Sequence, residues 1–421
     1  MLFGTDRRVL ALAFARLADG IGNSFLIVVL PLYIGSELVT GRTFGLTEPM
    51  IIGIVLSAFS FVSSLGQPFT GRLSDRTARR KVYLLLGLAI LAVMNVTYVF
   101  ASSYVALVGI RLVQGIGVAF IVPASIALVN ELAAETARGG NMGVYNTFRL
   151  IGFGSGPVVA GAVVNAGPYS LPAVTVSVTG FEAAFYIAAV TAAASFLLVL
   201  LLIDDPDDLT QAGEDLSVDV FDRSGSALFD PVFTLGVATL FMAAGIALFA
   251  TLQPQVNARL DQASTWFGLQ FAAFVFAQIL LQAPIGRASD WWGRRPFLVV
   301  GLALLIPSTL AQGYAPTSET MFVARFLQGV AGAMVFAPAL ALAGDLAGKG
   351  ESGTTLSVLT MAFGLGIAFG PLAAGFLVEF GFEVPFVFGA ALAAVGLVMV
   401  YTQVEETVEP DEQPDSPSPV D

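Results

Sequence analysis

Arg16 and Asp19 stand three residues apart inside an apolar run from 9 to 34, and Arg111 stands inside another from 104 to 127. Charged groups in so apolar a setting are costly to bury and mark proton relays, ion pathways or counter-charges. A carboxylate beside a guanidinium can take up and release a proton, because the neighbouring charge sets its pKa. Asp19 is therefore the candidate protonation site and Arg111 its candidate counter-charge. At 1.5 Å per residue, Asp19 lies about 15 Å from the start of its run and Arg111 about 20 Å from the end of its own. These are similar depths from one membrane face if the runs cross in opposite directions, so the two can meet if those runs are neighbours. The plainer alternative is a static ion pair of Arg16 with Asp19, three residues apart on one helix.

The elements that hold these groups are membrane spans. The chain has 421 residues, of which 56% are hydrophobic and only 12% charged. Its mean hydropathy is +0.82. A soluble chain of this length needs far more polar surface. A helix crossing the roughly 30 Å hydrocarbon core takes about 20 apolar residues. Runs of that kind lie near 9–34, 50–70, 82–101, 104–127, 143–166 and 182–203, then 229–253, 266–286, 296–314, 318–342, 353–378 and 384–402. The first continues through Arg16 and Asp19 without a small-residue cleavage site and reads as a retained span. The expected fold is all-α and polytopic, with 12 transmembrane helices as two parallel six-helix repeats.

Cysteine and histidine are both absent. That argues against thiolate and imidazole metal sites, and no metal or other cofactor is expected. It also leaves proton work to carboxylates. The net charge of −12 is concentrated in two segments: 204–222 and 405–421 carry eight and seven acids and no base. The expected organisation is thus a first bundle over 1–203, an acidic linker over 204–228, a second bundle over 229–402 and a disordered tail over 403–421. Lys81 and Lys349 are the only lysines. An acidic, lysine-poor surface fits a halophile's high-salt cytoplasm; two disordered solubilising segments fit it equally.

Between the second and third runs, Gly71 to Lys81 reads G-R-L-S-D-R-T-A-R-R-K. Its arginines Arg72, Arg76, Arg79 and Arg80 suit a membrane surface on the cytoplasmic side, as do most other basic loops, and the opposite loops hold only Arg42 and Arg259. The chain is expected to be multi-pass in the cytoplasmic membrane of the cell, with both termini on the cytoplasmic side. Topology alone does not explain Asp75, since acids contribute little to orientation.

The segment recurs as Gly286 to Pro296, G-R-A-S-D-W-W-G-R-R-P. Asp75 corresponds to Asp290 and Glu131 to Asp345, Arg111-Leu-Val-Gln114-Gly to Arg325-Phe-Leu-Gln328-Gly, and Gly152, Gly156, Pro157 and Gly161 to Gly366, Gly370, Pro371 and Gly375, all at offsets of 214 or 215. Repetition in order at one offset marks an internal duplication. Parallel halves of six spans are an architecture of rocking transporters, with the site between the halves.

These residues resemble the major facilitator superfamily, in particular its twelve-span drug/proton antiporter branch. Gly71, Leu73, Ser74, Asp75, Arg76, Arg79 and Arg80 match its signature between spans 2 and 3, with Ala78 where the signature has Gly. The second copy has Ala288 for Leu and Trp291 for Arg. Arg111, Gln114, Gly115 and Gly117 resemble the span 4 motif. Gly152, Gly156, Pro157 and Gly161 resemble the span 5 antiporter motif, with Ala160 for its penultimate Gly. In span 1, Gly22 and Pro31 match in part, with Val28 where a further Pro is frequent.

The resemblance covers about 8–402 and implies that spans 1 and 4 are neighbours. It also implies that Asp75 faces the start of span 11, near 353–355, when the cytoplasmic side is closed. Asp75 with Arg76 and Arg79 then reads as a latch, supported by Gly71, Arg80, Asp290 and Arg294, with Glu131, Arg138 and Asp345 in the surrounding charge network. The glycine-proline motifs read as the interface where the halves rock.

Polar groups at mid-depth supply the candidate substrate cavity: Arg16, Asn23, Gln114, Gln278, Gln282, Arg325 and Gln328. The expected function is secondary transport of a small organic solute by alternating access, as proton-coupled efflux by antiport. A symporter or uniporter for an organic anion is the alternative, favoured by the excess of buried arginine, and a non-transporting membrane sensor is a third reading. The expected partners are the solute, protons and the lipid bilayer, not nucleic acid, and the chain is expected to act as a monomer rather than as an enzyme.

Overall fold

The computed structural model describes residues 7–36, 38–77, 79–132, 138–171, 176–205, 220–221, 228–346 and 352–407. Most of the acidic linker and nearly all of the tail therefore lie outside the described residues.

The first half comprises α1 (Arg7–Ile34), α2 (Glu48–Thr77), α3 (Arg80–Thr97), α4 (Tyr104–Leu132), α5 (Arg138–Ala166) and α6 (Gly180–Leu202). The second comprises α7 (Pro231–Thr251), the short α8 (Gln253–Leu260), α9 (Ser264–Trp292), α10 (Arg294–Gly313), α11 (Ser318–Leu346), α12 (Ser352–Leu377) and α13 (Val384–Gln403). Among the described residues, 12 of these are long and apolar enough to cross a membrane. The α5–α6 connection carries a small antiparallel pair, β1 (Tyr169–Leu171) and β2 (Val176–Val178). Local signals set several boundaries. Thr179 and Glu182 form a reciprocal capping box at the start of α6, and Asp230 accepts from Val232 and Phe233 N–H groups ahead of Pro231 at the start of α7.

The basic segments are not loops. Helix α2 runs on through Gly71–Thr77, and α9 runs through Gly286–Trp292. Apolar length marks where the hydrocarbon ends, whereas a helix stops only where the backbone is interrupted. In the second copy that interruption is Gly293, at φ +92°, a conformation that glycine adopts without a side-chain clash. Asp75 and Asp290 thus stand on rigid helix rather than on a turn. We call the end of the bundle that holds them the charged end.

Within the halves, α1 packs on α5 and α6, α4 on α2 and α3, α7 on α12 and α13, and α11 on α9 and α10. Between the halves, α2 crosses α12 and α5 crosses α9. Both crossings are tightest at the end away from Asp75. A Cβ on Gly53 would stand 2.5 Å from the Pro371 carbonyl oxygen, and one on Gly268 would stand 2.5 Å from that of Pro157. Gly161 meets the Ser264 carbonyl in the same way at 2.7 Å, and Gly375 meets that of Pro49 at 2.3 Å. Side-chain bonds reinforce the seal: Thr47 donates to Glu379 at 2.7 Å and Asn165 to Thr265 at 3.0 Å. The repeat read in the sequence relates the two crossings residue by residue.

The glycine motifs divide their work, which corrects their reading as a single interface. Gly152 and Gly156 face α1, where added Cβ atoms would meet the Leu17 carbonyl at 2.3 Å and Ser24. Gly366 and Gly370 face α7 in the same way, at 2.3 Å from the Leu240 carbonyl and 2.5 Å from that of Ala244. Only Pro157, Gly161, Pro371 and Gly375 meet the other half. At about 100° per residue, positions nine apart lie on opposite sides of a helix, so Gly152 and Gly161 cannot serve one surface. Gly152→Leu is therefore expected to destabilise the first half by about 1–3 kcal/mol or more. Gly109→Leu, where a Cβ meets nothing within 4 Å, is expected to be near neutral. Thermal unfolding of the two purified variants checks this.

Candidate functional site

At the charged end the first half is held by one guanidinium. Arg80, the first residue of α3, is buried and pairs with Asp75 of α2. It also donates to Glu131 of α4 at 2.9 and 3.2 Å and to Ser74 at 3.1 Å. The second half repeats the arrangement: Arg294 reaches Asp345 at 2.6 Å and Asp290 at 3.5 Å. Arg76 and Arg79, read as the partners of Asp75, are exposed and make no ion pair with it among the described residues. Residue 76 follows 75 by about 100° around the helix and faces elsewhere, while Arg80 reaches back from the next helix. Arg138 opens α5, but its side chain lies outside the described residues, as do those of 353–355.

Chain segments following the last helix of each half reach back to these clusters. Asp205 accepts from the Lys81 N–H at 2.8 Å, and Lys81 Nζ pairs with Asp204 at 2.9 Å. In the second half Glu406 accepts from the Arg294 and Arg295 N–H groups at 3.0 and 2.9 Å. A hydrogen bond from Lys81 holds the exposed Asp204 carboxyl below its usual pKa, so this tether is lost only as pH falls through that lowered value.

Between the halves, on the charged-end side, lies a cavity of about 510 Å³. Helix α2 lines it with Ser64, Gln67, Gly71, Ser74 and Asp75, a polar stripe at helical spacing, and Arg72 and Arg80 stand at its edge. Helix α4 contributes Pro123, Ile126 and Asn130, and α12 contributes Leu356, Thr360 and Met361. Asp75 thus looks across open space toward the first turns of α12 while Arg80 holds it on its own side.

None of the seven mid-depth candidates lines this cavity. Asp19 is buried inside the first half and pairs with Arg16, not with Arg111. The nearer partner wins because residues three apart on a helix are already adjacent. Two water-sized cavities, about 10 Å³ each, flank the pair. Ser125 and Tyr145 line one, and Asn23, Asn95 and Gln114 line the other. Gln114 carries the connection to Arg111: it accepts from Arg111 at 3.3 Å and from Tyr98 at 2.8 Å and donates to Asn95 at 2.7 Å. The Arg111 guanidinium lies 4.5 Å from the Phe59 ring centroid. Asp19 and Gln114, the partner of Arg111, thus line one small cavity, while Asp19 and Arg111 do not pair.

The second half copies this chain in the same register. Arg325 donates to Gln328 at 2.5 Å, Gln328 donates to Thr309 at 3.1 Å, and Phe274 lies 4.9 Å from the guanidinium. Gln278 stands beside Gly332 and Gln282 is half-buried on α9. Depth along a span is a one-dimensional criterion, and it does not separate a face turned into a bundle from one turned into the space between bundles.

Sequence reasoning also missed Arg149 of α5, which lies within electrostatic reach of Arg16 and Tyr145 and donates to Asn146 at 2.9 Å. Its position inside the fifth apolar run was the available signal. For Gln67 and Ser64 the signal was the spacing 64, 67, 71, 74.

Comparison with known proteins agrees with this architecture. Over 184 residues the chain is 28% identical to multidrug resistance protein 1 of Bacillus subtilis (strain 168), covering 44% of the chain and 46% of that protein. Over 174 residues it is 28% identical to the class B tetracycline resistance protein of Escherichia coli, covering 41% and 43%. The chain thus spans less than half the length of either curated relative it matches. A solved structure with the same fold is that of a bacterial homologue of the human lysosomal transporter Spinster, inward-facing and occupied, at a TM-score of 0.74 and 16% identity, over 94% of this chain and 97% of that one. The Major Facilitator Superfamily pattern matches residues 12–266 and again 235–420. With paired six-helix halves and that pattern across nearly its whole length, the chain belongs to the Major Facilitator Superfamily.

Proposed function

We propose that the protein is a secondary active transporter that exports a small organic solute by alternating access, in exchange for protons. One observation carries this reading: two symmetry-related helix crossings seal one end of the bundle while a cavity of about 510 Å³ separates the halves at the other. By the positive-inside rule the charged end is cytoplasmic, so this is the inward-open state. In the opposite state Asp75 leaves Arg80 and meets the start of α12, where a helix N-terminus favours a carboxylate. Rocking of the first half (1–203) against the second (229–402) exchanges the two states. The names of the relatives, multidrug and tetracycline resistance, support export.

The chain has no cysteine, so engineered pairs report without background. Thr47→Cys with Glu379→Cys spans the sealed end, and Arg72→Cys with Thr360→Cys spans the cavity. Each pair is expected to cross-link in membranes, and trapping one is expected to suppress the other state. If the cavity pair never cross-links while the sealed-end pair always does, the halves do not exchange and the transport reading falls.

A further inference from the structure

Arg325 carries a charge that its half of the protein does not balance. The side chain is wholly buried, and the rings of Phe249, Phe274 and Phe271 lie 4.3, 4.9 and 5.7 Å from its guanidinium carbon. Its one hydrogen bond is to Gln328, and Nε and Nη2 have no partner among the described residues. Arg16 is answered by Asp19, Arg80 by Asp75 and Glu131, and Arg294 by Asp290 and Asp345. Arg111, the first-half counterpart, also lacks an acid among the described residues, but it leaves only Nε without a partner and lies over a single ring, that of Phe59.

The sequence offers no answer for Arg325. Helices α7, α10, α12 and α13 contain no acid, α9 has only Asp290 near its end, and α11 has Glu319 and Asp345 near its two ends. Glu319 lies about 9 Å along the helix from Arg325, at the membrane edge. Aromatic faces attract a guanidinium, but they do not supply hydrogen-bond acceptors for its remaining N–H groups. A buried donor left unmade is costly, and more so for a charged group.

One wall of the cage borders the other half of the protein. The Phe271 ring packs against that of Phe153 of α5 at 5.4 Å, across the boundary between the halves. Any motion that parts α5 from α9 withdraws Phe153 and uncovers Phe271, and Arg325 behind it.

We propose that Arg325 and its phenylalanine cage bind the anionic group of an apolar, ring-bearing organic anion such as an aromatic carboxylate or sulfonate. The unpartnered Nε and Nη2 donate to the anion's oxygens, the phenylalanine rings receive its apolar body, and the parting of Phe153 from Phe271 admits it. This names a substrate class for the transport reading above, and rests on that reading for the opening of the cage.

The test measures melting of the full-length protein in lipid nanodiscs with benzenesulfonate, a permanent anion, against benzyltrimethylammonium at matched ionic strength. The sulfonate is expected to raise the melting temperature in a concentration-dependent way and the cation is not. Arg325→Gln is expected to weaken the apparent sulfonate affinity about tenfold or more, a difference of about 1.4 kcal/mol. Phe153→Ala, which keeps Arg325 and removes the outer wall, is expected to strengthen it. Equal stabilisation by the cation, no response of the natural sequence to the sulfonate, or sulfonate binding unchanged in Arg325→Gln would each overturn the proposal. If Arg325→Gln does not fold, unchanged or weaker binding in Phe153→Ala overturns it. The cross-linking of the two cysteine pairs needs no ligand, so sulfonate binding with non-exchanging pairs would retire the transport reading and leave the anion site standing.

Discussion

Replacing Arg80 with alanine is expected to lower the melting temperature of the purified protein by roughly 2–5 °C, while Arg79→Ala leaves it nearly unchanged. Arg80 ties three helices: its own, α2 through Ser74 and Asp75, and α4 through Glu131. Removing one member of a fully buried ion pair costs about 3–5 kcal/mol, because the remaining charge is stranded. Here Asp75 keeps 34% and Glu131 25% of their side-chain surface exposed, so water recovers part of the loss and about 2–4 kcal/mol is the expected cost. Arg294→Ala is expected to cost less, since its acids Asp290 and Asp345 are 54% and 35% exposed. Arg80→Ala also frees Asp75 on the face turned toward α12, so cross-linking of the cavity pair is expected to rise. A melting temperature unchanged by Arg80→Ala would show that the cluster is a solvent-screened surface network.

Asp19→Asn is expected to abolish the pH dependence of the exchange between the two cross-linked states. If Asp19 binds the coupling proton, its pKa differs between the states, and the ratio of sealed-end to cavity cross-links shifts by up to about tenfold for each pH unit of that difference. The asparagine keeps the shape and the hydrogen-bonding oxygen facing Arg16 but cannot titrate over this range. A flat ratio in Asp19→Asn against a pH-dependent ratio in the natural sequence is the expected result, read in membranes between pH 5.5 and 8. If the mutant ratio stays as pH-dependent as before, the proton is carried elsewhere. This assay needs no knowledge of the solute.

Much of the scaffold was legible in the residues. Apolar runs gave the twelve crossing helices because a backbone in lipid must satisfy its own hydrogen bonds, which leaves the helix as the solution for each run. The offset of 214 to 215 gave the symmetry, and the structure carries it down to side-chain contacts: Arg80 with Arg294, Arg111 with Arg325, Gly53 with Gly268, Phe59 with Phe274. Helix ends at the charged surface were less legible, since hydropathy falls at Gly71 and Gly286 while α2 and α9 continue.

The site divides in the same way. Residue type alone marked Asp19, Arg111 and Arg325 as groups with something to do, because a charge inside an apolar run requires a reason, and Asp75 because an acid in a basic segment is not explained by orientation. Their partners came from the fold. Arg80 rather than Arg76 or Arg79 holds Asp75, Arg16 rather than Arg111 holds Asp19, and Arg325 is left to three phenylalanines. Which of two nearby charges forms a pair depends on helix phase and on the packing of helices distant in sequence, and energies of these alternatives differ by amounts that spacing does not encode. The sequence by itself determined a duplicated, twelve-span membrane protein with a few committed charges. Only the tertiary structure decided which face of each span meets the other half, where the space between the halves opens, and which buried charges have an acid beside them.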